Sequence, residues 1–192
     1  MRQPPASAVV PPSHIESPGH TSGVTLYESI VTLGVVAILG LTGLPALHDM
    51  LSRQRMTAAV NQYITNLAIA RNEAVTRGRS VLLCPGTATT GCQPTTSWQQ
   101  GFIVFSDEDD DNRFDASNDM LVRSVGPADG NLRIGGGRRF VQYQPTGLAG
   151  GSNQSVSFCD ARGPDQGRVV IINLAGRPYV SKKRPDGTPP VC

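Results

Sequence analysis

The distribution of apolar and charged residues predicts a membrane span near the start of the chain. From Ser29 to Leu47, nineteen residues pass without a formal charge, and Val, Ile, Leu and Gly dominate them. A helix of that length can cross a hydrocarbon core about 30 Å thick. Glu28 stands at the entrance of this run. An ionised carboxylate at that position is costly unless it finds a partner, so it calls for a reason.

The next region has the period of an amphipathic helix. From Leu47 to Arg77 the apolar residues recur mostly three and four positions apart, and Gly78 suits a left-handed cap at the end. The helix would continue the span, with a kink at Pro45, where proline removes a backbone hydrogen bond. Two separate helices broken at Pro45 are the alternative. The predicted apolar face comprises Leu47, Leu51, Val60, Ile64, Leu67, Ala68, Ala74 and Val75.

Beyond Gly78 the pattern changes to short apolar runs separated by clusters of Gly, Pro, Asn and Asp, which is typical of strands and turns. The sequence therefore predicts an α+β protein, with a long N-terminal helix packed on an antiparallel β head. The predicted strands are 80–84, 101–106, 120–125, 131–134, 140–144, 156–159, 168–173 and 178–182.

Length and composition limit the number of domains. The chain has 192 residues, of which 39% are hydrophobic, enough for one membrane element and one globular domain. Its net charge of +2 is unevenly distributed. Residues 1–132 carry 8 basic and 12 acidic residues, a net charge of −4, and residues 133–192 carry 9 and 3, a net charge of +6. The basic surplus therefore lies in the C-terminal third.

The cysteines indicate an oxidising compartment. Cys84, Cys92, Cys159 and Cys192 all follow the apolar run, and none forms a CxxC pair. An even count of this kind favours two disulfides over a metal or redox site. Of the three possible pairings we favour the one between neighbours in sequence, Cys84 with Cys92 and Cys159 with Cys192. The cysteines would thus lie on the oxidising side of the membrane, with Arg2 and the terminal amine in the cytoplasm. The positive-inside rule does not support this orientation, because Arg53 and Arg55 flank the non-cytoplasmic end of the span. Buried reduced cysteines in a cytoplasmic protein are the alternative.

The first 22 residues contain five prolines and no apolar core, so they are expected to be disordered. A secretory signal carries its apolar segment before the cleavage site, whereas here Gly23 precedes it, and cleavage after Gly23 would leave the span attached. The stretch from Gly23 to Glu28, followed by an apolar run containing Pro45, resembles the N-terminus of type IV prepilins. Departures are Val24, where Phe is usual, and Tyr27, where an aliphatic residue is common.

The prepilin resemblance implies a processing and assembly chemistry. A prepilin peptidase would cleave after Gly23 and methylate the new N-terminus at Val24. Glu28 would pair with the terminal amine of a neighbouring subunit during filament assembly, which avoids leaving one charge unpaired in lipid.

Longer stretches narrow the resemblance to the GspH/FimT family. They are Asn66–Gly78, Leu83–Pro85 with Cys92 and Trp98, Gly101–Asp107, Phe158–Gly163 and Leu174–Arg177. The resemblance implies a minor pilin or a type II secretion minor pseudopilin, held in the inner membrane by one span with its head in the periplasm. Its partners would be other minor subunits, the major subunit and the peptidase. The implied regions are a leader (1–23), a filament-core helix (24–47), an amphipathic helix (48–78) and a head with a C-terminal disulfide loop (79–192).

The sequence leaves three functions open. The first is a structural subunit at the tip of a type IV pilus or a type II secretion pseudopilus, and the sequence does not choose between these two assemblies. The second is a DNA-binding minor pilin for DNA uptake in natural transformation. The third is a single-span periplasmic binding protein that never assembles.

The basic residues near the C-terminus are the basis of the DNA hypothesis, because such a surface can neutralise phosphates. DNA-binding members of the resembled family carry a Gly-Arg-x-Arg motif, and this chain keeps only its first arginine, in Gly176-Arg-Pro-Tyr179. The residues would converge if Cys192 is tied back to Cys159, and a solvated basic face is the alternative. The candidate residues are Arg162, Arg168, Arg177, Lys182, Lys183 and Arg184.

An acidic stretch invites a calcium hypothesis. Asp107, Asp109 and Asp111 alternate like the ligands of a hard-cation loop. The pattern fails further on, because Asn112 stands where the sharp turn favours glycine and Asn118 where a bidentate glutamate should close the loop. A solvated acidic turn is therefore the favoured interpretation, with no metal site and no cofactor expected.

Catalysis is not expected from the pattern of nucleophiles and bases. His14 and His20 fall in the leader, which leaves His48 at the membrane edge as the histidine of the mature chain. A nucleophilic site in the head would then lack its base. Gly135–Gly137 precede two arginines without the Lys-Ser/Thr of a phosphate loop, so we interpret them as a flexible loop.

Overall fold

The computed structural model describes residues 23–192, except for the side chains of residues 42–45. The predicted disorder of residues 1–22 lies outside the described residues. The chain divides into two compact units between Leu44 and Pro45.

One long helix leads the fold. Helix α1 spans Leu26–Arg77, 52 residues, and Gly78 ends it in the left-handed conformation predicted for it, with φ 65°. The Gly78 N–H donates to the carbonyl of Ala74 at 3.0 Å, which satisfies one of the last carbonyls of the helix. Pro45 lies among the residues whose side chains are not described, so its kink stays a prediction.

The part of α1 that packs on the head has a narrower face than the sequence indicated. Val60, Leu67 and Ala74 are buried as predicted, but Leu47, Leu51, Ala68 and Val75 are exposed. The buried positions follow a strict alternation of four and three residues, which keeps them on one stripe. The predicted face included apolar residues beside this stripe and left out two larger side chains within it, Met56 and Tyr63. The buried stripe comprises Met56, Val60, Tyr63, Leu67, Ala70 and Ala74.

Within residues 23–192 the head has nine strands and one 3-10 turn (Pro164–Gln166). The eight predicted strands are present, and the short β2 was not predicted. The strands are β1 (Ser80–Thr87), β2 (Gly91–Cys92), β3 (Phe102–Asp107), β4 (Met120–Val125), β5 (Arg133–Gly136), β6 (Val141–Tyr143), β7 (Gln154–Cys159), β8 (Arg168–Ile172) and β9 (Pro178–Ser181).

The predicted antiparallel head is confirmed, but it consists of two sheets. One has the order β2-β1-β3-β4, with β6 also paired to β1, and the other has the order β5-β7-β8-β9. Every pairing between these strands is antiparallel. Alternation along single strands predicts neither the number of sheets nor their partners, because those depend on pairing between distant segments.

Tyr63 of α1 lies where the two sheets and the helix meet. Its ring makes edge-on contacts with Trp98, with Phe102 of β3 and with Phe158 of β7, at centroid distances of 5.6, 5.6 and 5.7 Å. Such edge-to-face pairs add to the free energy gained from burying the rings. Burial, and to a lesser degree the nearby Tyr143, raises the pKa of the Tyr63 hydroxyl. The head therefore closes around one helical side chain.

Two disulfides cross-link the head in the neighbour pairing that the sequence favoured. Cys84 pairs with Cys92, which joins β1 to β2, and Cys159 pairs with Cys192, which joins the end of β7 to the last residue. The second encloses a sequence separation of 33 residues. On the chain-entropy model a loop of that size contributes about 3 to 4 kcal/mol to stability.

Candidate functional site

The predicted processing and assembly residues surround the start of α1. Gly23 and Val24 precede the helix and are exposed, so the peptide bond between them lies outside regular structure. Thr25 Oγ1 accepts a hydrogen bond from the backbone N–H of Glu28 at 3.3 Å, and the Thr25 carbonyl accepts one from the N–H of Ser29 at 3.0 Å. Thr25 is therefore the N-cap of the helix, a residue that the sequence analysis passed over although Thr-x-x-Glu is a capping pattern.

Glu28 occupies the first turn of α1 and is exposed. The positive end of the helix dipole favours a carboxylate there. Among the described residues, no hydrogen bond or ion pair to the Glu28 carboxylate is present, and the bond from the Thr25 N–H that would complete a capping box is absent too. This carboxylate is therefore available to a group from outside the described chain.

After Glu28, the first part of α1 carries no charge and exposes apolar side chains on all sides. None of the described residues between Leu26 and Leu41 is buried, and Leu26, Leu33 and Leu41 each expose at least 70% of their surface. The helix is long and apolar enough to cross a membrane by length and composition. A helix that is hydrophobic all round needs an apolar environment, either lipid or other helices.

The basic residues of the head divide between two ends. Strands β7, β8 and β9 run antiparallel, so Cys159, Arg168 and Ser181 lie at one end of their sheet, and Gln154, Ile172 and Pro178 at the other. Arg162 follows β7 and Lys182 follows β9, so both fall at the first end, together with Lys183, Arg184 and the disulfide to Cys192. We call this the basal end. Arg177, in the turn before β9, lies at the opposite end.

Contacts with α1 show how far apart these ends are. At the basal end, the hydrogen bonds to Asp160 are the main cause that raises the pKa of Arg162, and the charge of Asp49 on α1 is near enough to raise it further. At the opposite end, Gly176 packs on Gly147, whose carbonyl accepts a hydrogen bond from Arg71 Nε at 2.9 Å. Asp49 and Arg71 are 22 residues apart on α1, about 33 Å at 1.5 Å per residue. The predicted convergence therefore holds for five of the six basic residues and is wrong for Arg177.

Internal bonds occupy two of the basal arginines. Arg162 donates to both oxygens of Asp160, with Nη2 to Oδ2 at 2.6 Å. Burial alone would raise the pKa of Asp160, but these hydrogen bonds outweigh it and lower the pKa. Arg168 Nη1 donates to the carbonyls of Gln166 and Gly167. Lys182 and Lys183 are exposed, so they carry the most accessible charges of this end.

The acidic stretch forms a tight turn held by its own carboxylates. Asp107 is buried, and its two oxygens accept the N–H groups of Asp111 and Asn112 at 3.2 and 3.0 Å. Burial raises the pKa of Asp107, and these hydrogen bonds offset part of that rise. Asn112 has φ 60°, so it adopts the left-handed conformation for which the sequence analysis required glycine.

The carboxylates that come together differ from the predicted set. Ligand atoms of Asp107, Asp109 and Asp119 lie within 4.8 Å of one another, whereas the Asp111 carboxylate accepts the N–H of Arg113. Asp119 also accepts the N–H groups of Glu108 and Asp115. Because Asp107 and Asp119 are engaged by turn amides, the geometry favours the solvated acidic turn, and calcium binding stays an untested hypothesis.

Comparisons with known proteins identify a family from the sequence and a fold from the structure. The model of the family described as "Type II transport protein GspH" matches residues 59–176. Two crystal structures of the type IV minor pilin FimU from Pseudomonas aeruginosa are 19% identical in sequence, with TM-scores of 0.53 and 0.50. They cover 72% and 70% of this chain, and the matches span 95% and 96% of the FimU chains. At this identity the likeness shows the fold alone. No curated protein matches the chain.

Proposed function

The chain belongs to the GspH family, and we propose that it is a minor subunit of a type IV pilus or a type II secretion pseudopilus. One observation carries the proposal: an exposed, uncharged helix follows a Gly-Val-Thr-Leu-Tyr-Glu sequence and leads into a disulfide-bonded head of the family's fold. The role is structural rather than enzymatic. Its partners are other minor subunits and the major subunit.

The start of α1 suits proteolytic processing. Gly23 and Val24 are exposed and precede the helix, so a peptidase can bind them in extended form without unwinding it. Cleavage after Gly23 would remove residues 1–23 and leave Val24 as the new N-terminus, where the peptidase would add a methyl group. The new amine then lies four residues before Glu28.

Glu28 is the residue that we assign to assembly. Its exposed carboxylate would pair with the terminal amine of a neighbouring subunit once both helices pack in the filament core. Pairing opposite charges in that apolar environment avoids the cost of either charge alone. The exposed leucines and valines of the same helix would pack against neighbouring helices.

The location follows from the helix and the disulfides together. We place residues 24–47 in the inner membrane before assembly and the head in the periplasm, an oxidising compartment where disulfides form and persist. The choice between pilus and pseudopilus depends on the neighbouring subunits, which this chain does not identify.

The test separates processing from assembly in cells that make the filament. Glu28→Ala should be cleaved after Gly23, as mass spectrometry of the mature protein would report, yet be absent from sheared filaments. Glu73→Ala is the matched control, because Glu73 lies on the same helix and pairs only with Arg77 four residues on. Normal assembly of Glu28→Ala would refute the role of Glu28, and an uncleaved wild-type chain would refute the processing.

DNA binding gains no particular support from the geometry. Arg177, the remaining arginine of the motif, lies at the end of the head opposite the other five basic residues. Gel shifts with the full chain in detergent would test it, and binding that Arg177→Gln leaves unchanged would exclude a role for the motif.

A further inference from the structure

The basal end of the head carries a surplus of positive charge. Arg133 belongs to it too, because its position in β5 pairs with Cys159 of β7. Counted with the acidic residues nearby, Asp49, Asp160, Asp165 and Asp186, the group has six basic and four acidic members and a net charge of +2. We call it the basal cluster. Its basic members are Arg133, Arg162, Arg168, Lys182, Lys183 and Arg184.

This cluster lies at the end of the head where the chain joins the apolar run. Just before β5, Gly130 lies against α1, because a Cβ added there would be 3.5 Å from Arg55 Nη1. Arg162 also lies in electrostatic range of Asp49, and Asp49 is only two residues after Leu47, the last residue of that run. Two residues span at most about 7 Å of chain. If the run lies in a bilayer, as in the proposed function on which this inference rests, lipid headgroups must be close to the basal end.

From this placement we infer that the basal cluster binds the anionic headgroups of phospholipids before the subunit enters a filament. Lysine and arginine near a membrane surface are attracted by anionic lipid, and the attraction falls off within a Debye length. Lys182 and Lys183 are the contact residues, because both are exposed and extend the β9 edge beyond the end of the sheet. The contact would hold the anchored head in one orientation at the membrane surface.

The loop that carries these lysines offers a direct readout. Arg184 N–H donates to the Thr188 carbonyl, Gly187 N–H to the Arg184 carbonyl, and Lys183 N–H to Ser181 Oγ. These amides exchange with solvent only when the loop opens. Lipid binding to the lysines should reduce opening, and hydrogen exchange would slow.

The experiment uses the full chain in lipid nanodiscs, made either of phosphatidylcholine alone or with phosphatidylglycerol added. Exchange of residues 181–188 should slow about fivefold in the anionic discs. The difference should vanish near 1 M salt, where the Debye length is about 3 Å. Lys182→Gln with Lys183→Gln should abolish it. Arg139 belongs to the other end, since the N–H of its neighbour Arg138 donates to Gln154 there. Arg139→Gln with Arg177→Gln, an equal loss of charge from exposed residues at that end, should keep the difference.

Each remaining outcome decides against the inference. The inference would be overturned if exchange of residues 181–188 were equally fast in both kinds of disc. It would also be overturned if the control variant lost the slowing in anionic discs as completely as the variant without Lys182 and Lys183. Slowing by inorganic phosphate in the neutral discs would reveal a general anion site. Slowing by duplex DNA without any effect of anionic lipid would favour DNA. A chain that does not co-purify with discs would instead contradict the membrane span of the proposed function.

Discussion

The two halves of α1 form one helix with opposite relations to the rest of the chain. Between Leu26 and Leu41 the apolar side chains cover every face, and none is buried. Between Met56 and Ala74 one stripe is buried under the head, and the other faces are polar or exposed. The second half has its partner within the chain, whereas none of the described residues covers the first half. The comparison separates what stabilises the fold from what serves assembly.

The largest expected effect tests the difference between the two halves directly, by substituting one leucine in each half. Leu67 is fully buried and Leu33 is 70% exposed. Leu67→Ala should lower the free energy of unfolding of the head by about 3 to 4 kcal/mol, since it removes apolar contacts and leaves a cavity. Leu33→Ala should change it by less than about 0.5 kcal/mol. Denaturant unfolding of the full chain in detergent, followed by fluorescence of Trp98, would measure both. Equal losses would mean that the first half also stabilises the head.

The second prediction compares two carboxylates, Asp160 in the head and Glu28 in the first half. Asp160 is buried against Arg162, so Asp160→Asn should lower the free energy of unfolding of the head by about 1 to 2 kcal/mol. This loss is smaller than that for a fully buried ion pair, because solvent still reaches Arg162. The pKa of Asp160 is lower in the folded state than the usual value near 3.9. Its contribution is therefore complete above that value and lost as pH falls through the folded pKa.

Acid unfolding measures this contribution. The wild-type head should lose stability below about pH 4, and Asp160→Asn should show a flatter acid limb with lower stability at neutral pH. Asp107 has the opposite effect on stability. Because its pKa is raised in the folded state, it binds a proton more readily there, so its contribution to stability increases as the pH falls. Glu28→Gln should leave the curve of the head unchanged. A flatter acid limb in Glu28→Gln would contradict the separation of the two halves.

The third prediction compares glycines. Gly176 has φ 71°, and a Cβ there would collide with the Gly147 carbonyl oxygen and crowd the ring of Tyr143. Gly176→Ala should therefore destabilise the head by about 1 to 2 kcal/mol. Gly34 lies within α1, and a Cβ added there would meet no atom within 4 Å. Gly34→Ala should raise helicity slightly without affecting the head, as circular dichroism and thermal unfolding would show. Unchanged stability of Gly176→Ala would refute the close packing at that turn.

The comparison also shows how far the sequence could predict this molecule. Local signals sufficed for the helix end at Gly78, for most strands and for the disulfide between Cys84 and Cys92, because each depends on neighbouring residues. The buried face was predicted less well, since Tyr63 becomes central only when Phe102 and Phe158 approach it from two different sheets.

Two groupings of candidate site residues differ from the expectation for the same reason. The disulfide between Cys159 and Cys192 was expected to bring Arg177 together with Lys182, but β9 separates them, because an extended strand carries its two ends apart. Asp119 was missed because it reaches Asp107 and Asp109 only after the β3–β4 connection folds back. No sequence spacing within the acidic stretch itself indicates that return.

The smallest expected effect tests the cap at the start of the first half. Thr25→Val removes the oxygen that accepts the Glu28 N–H and should cost about 0.5 to 1 kcal/mol of local helix stability. Thr57→Val is the matched control in the second half, because the Thr57 hydroxyl donates only to the Arg53 carbonyl within the helix. Hydrogen exchange of the first-turn amides in detergent should quicken in Thr25→Val alone, with head unfolding unchanged. If the first turn frays, the Glu28 carboxylate loses its fixed position, so filament incorporation should fall partially, well short of the loss in Glu28→Ala. Full incorporation with a frayed turn would show that docking needs the charge and not the cap.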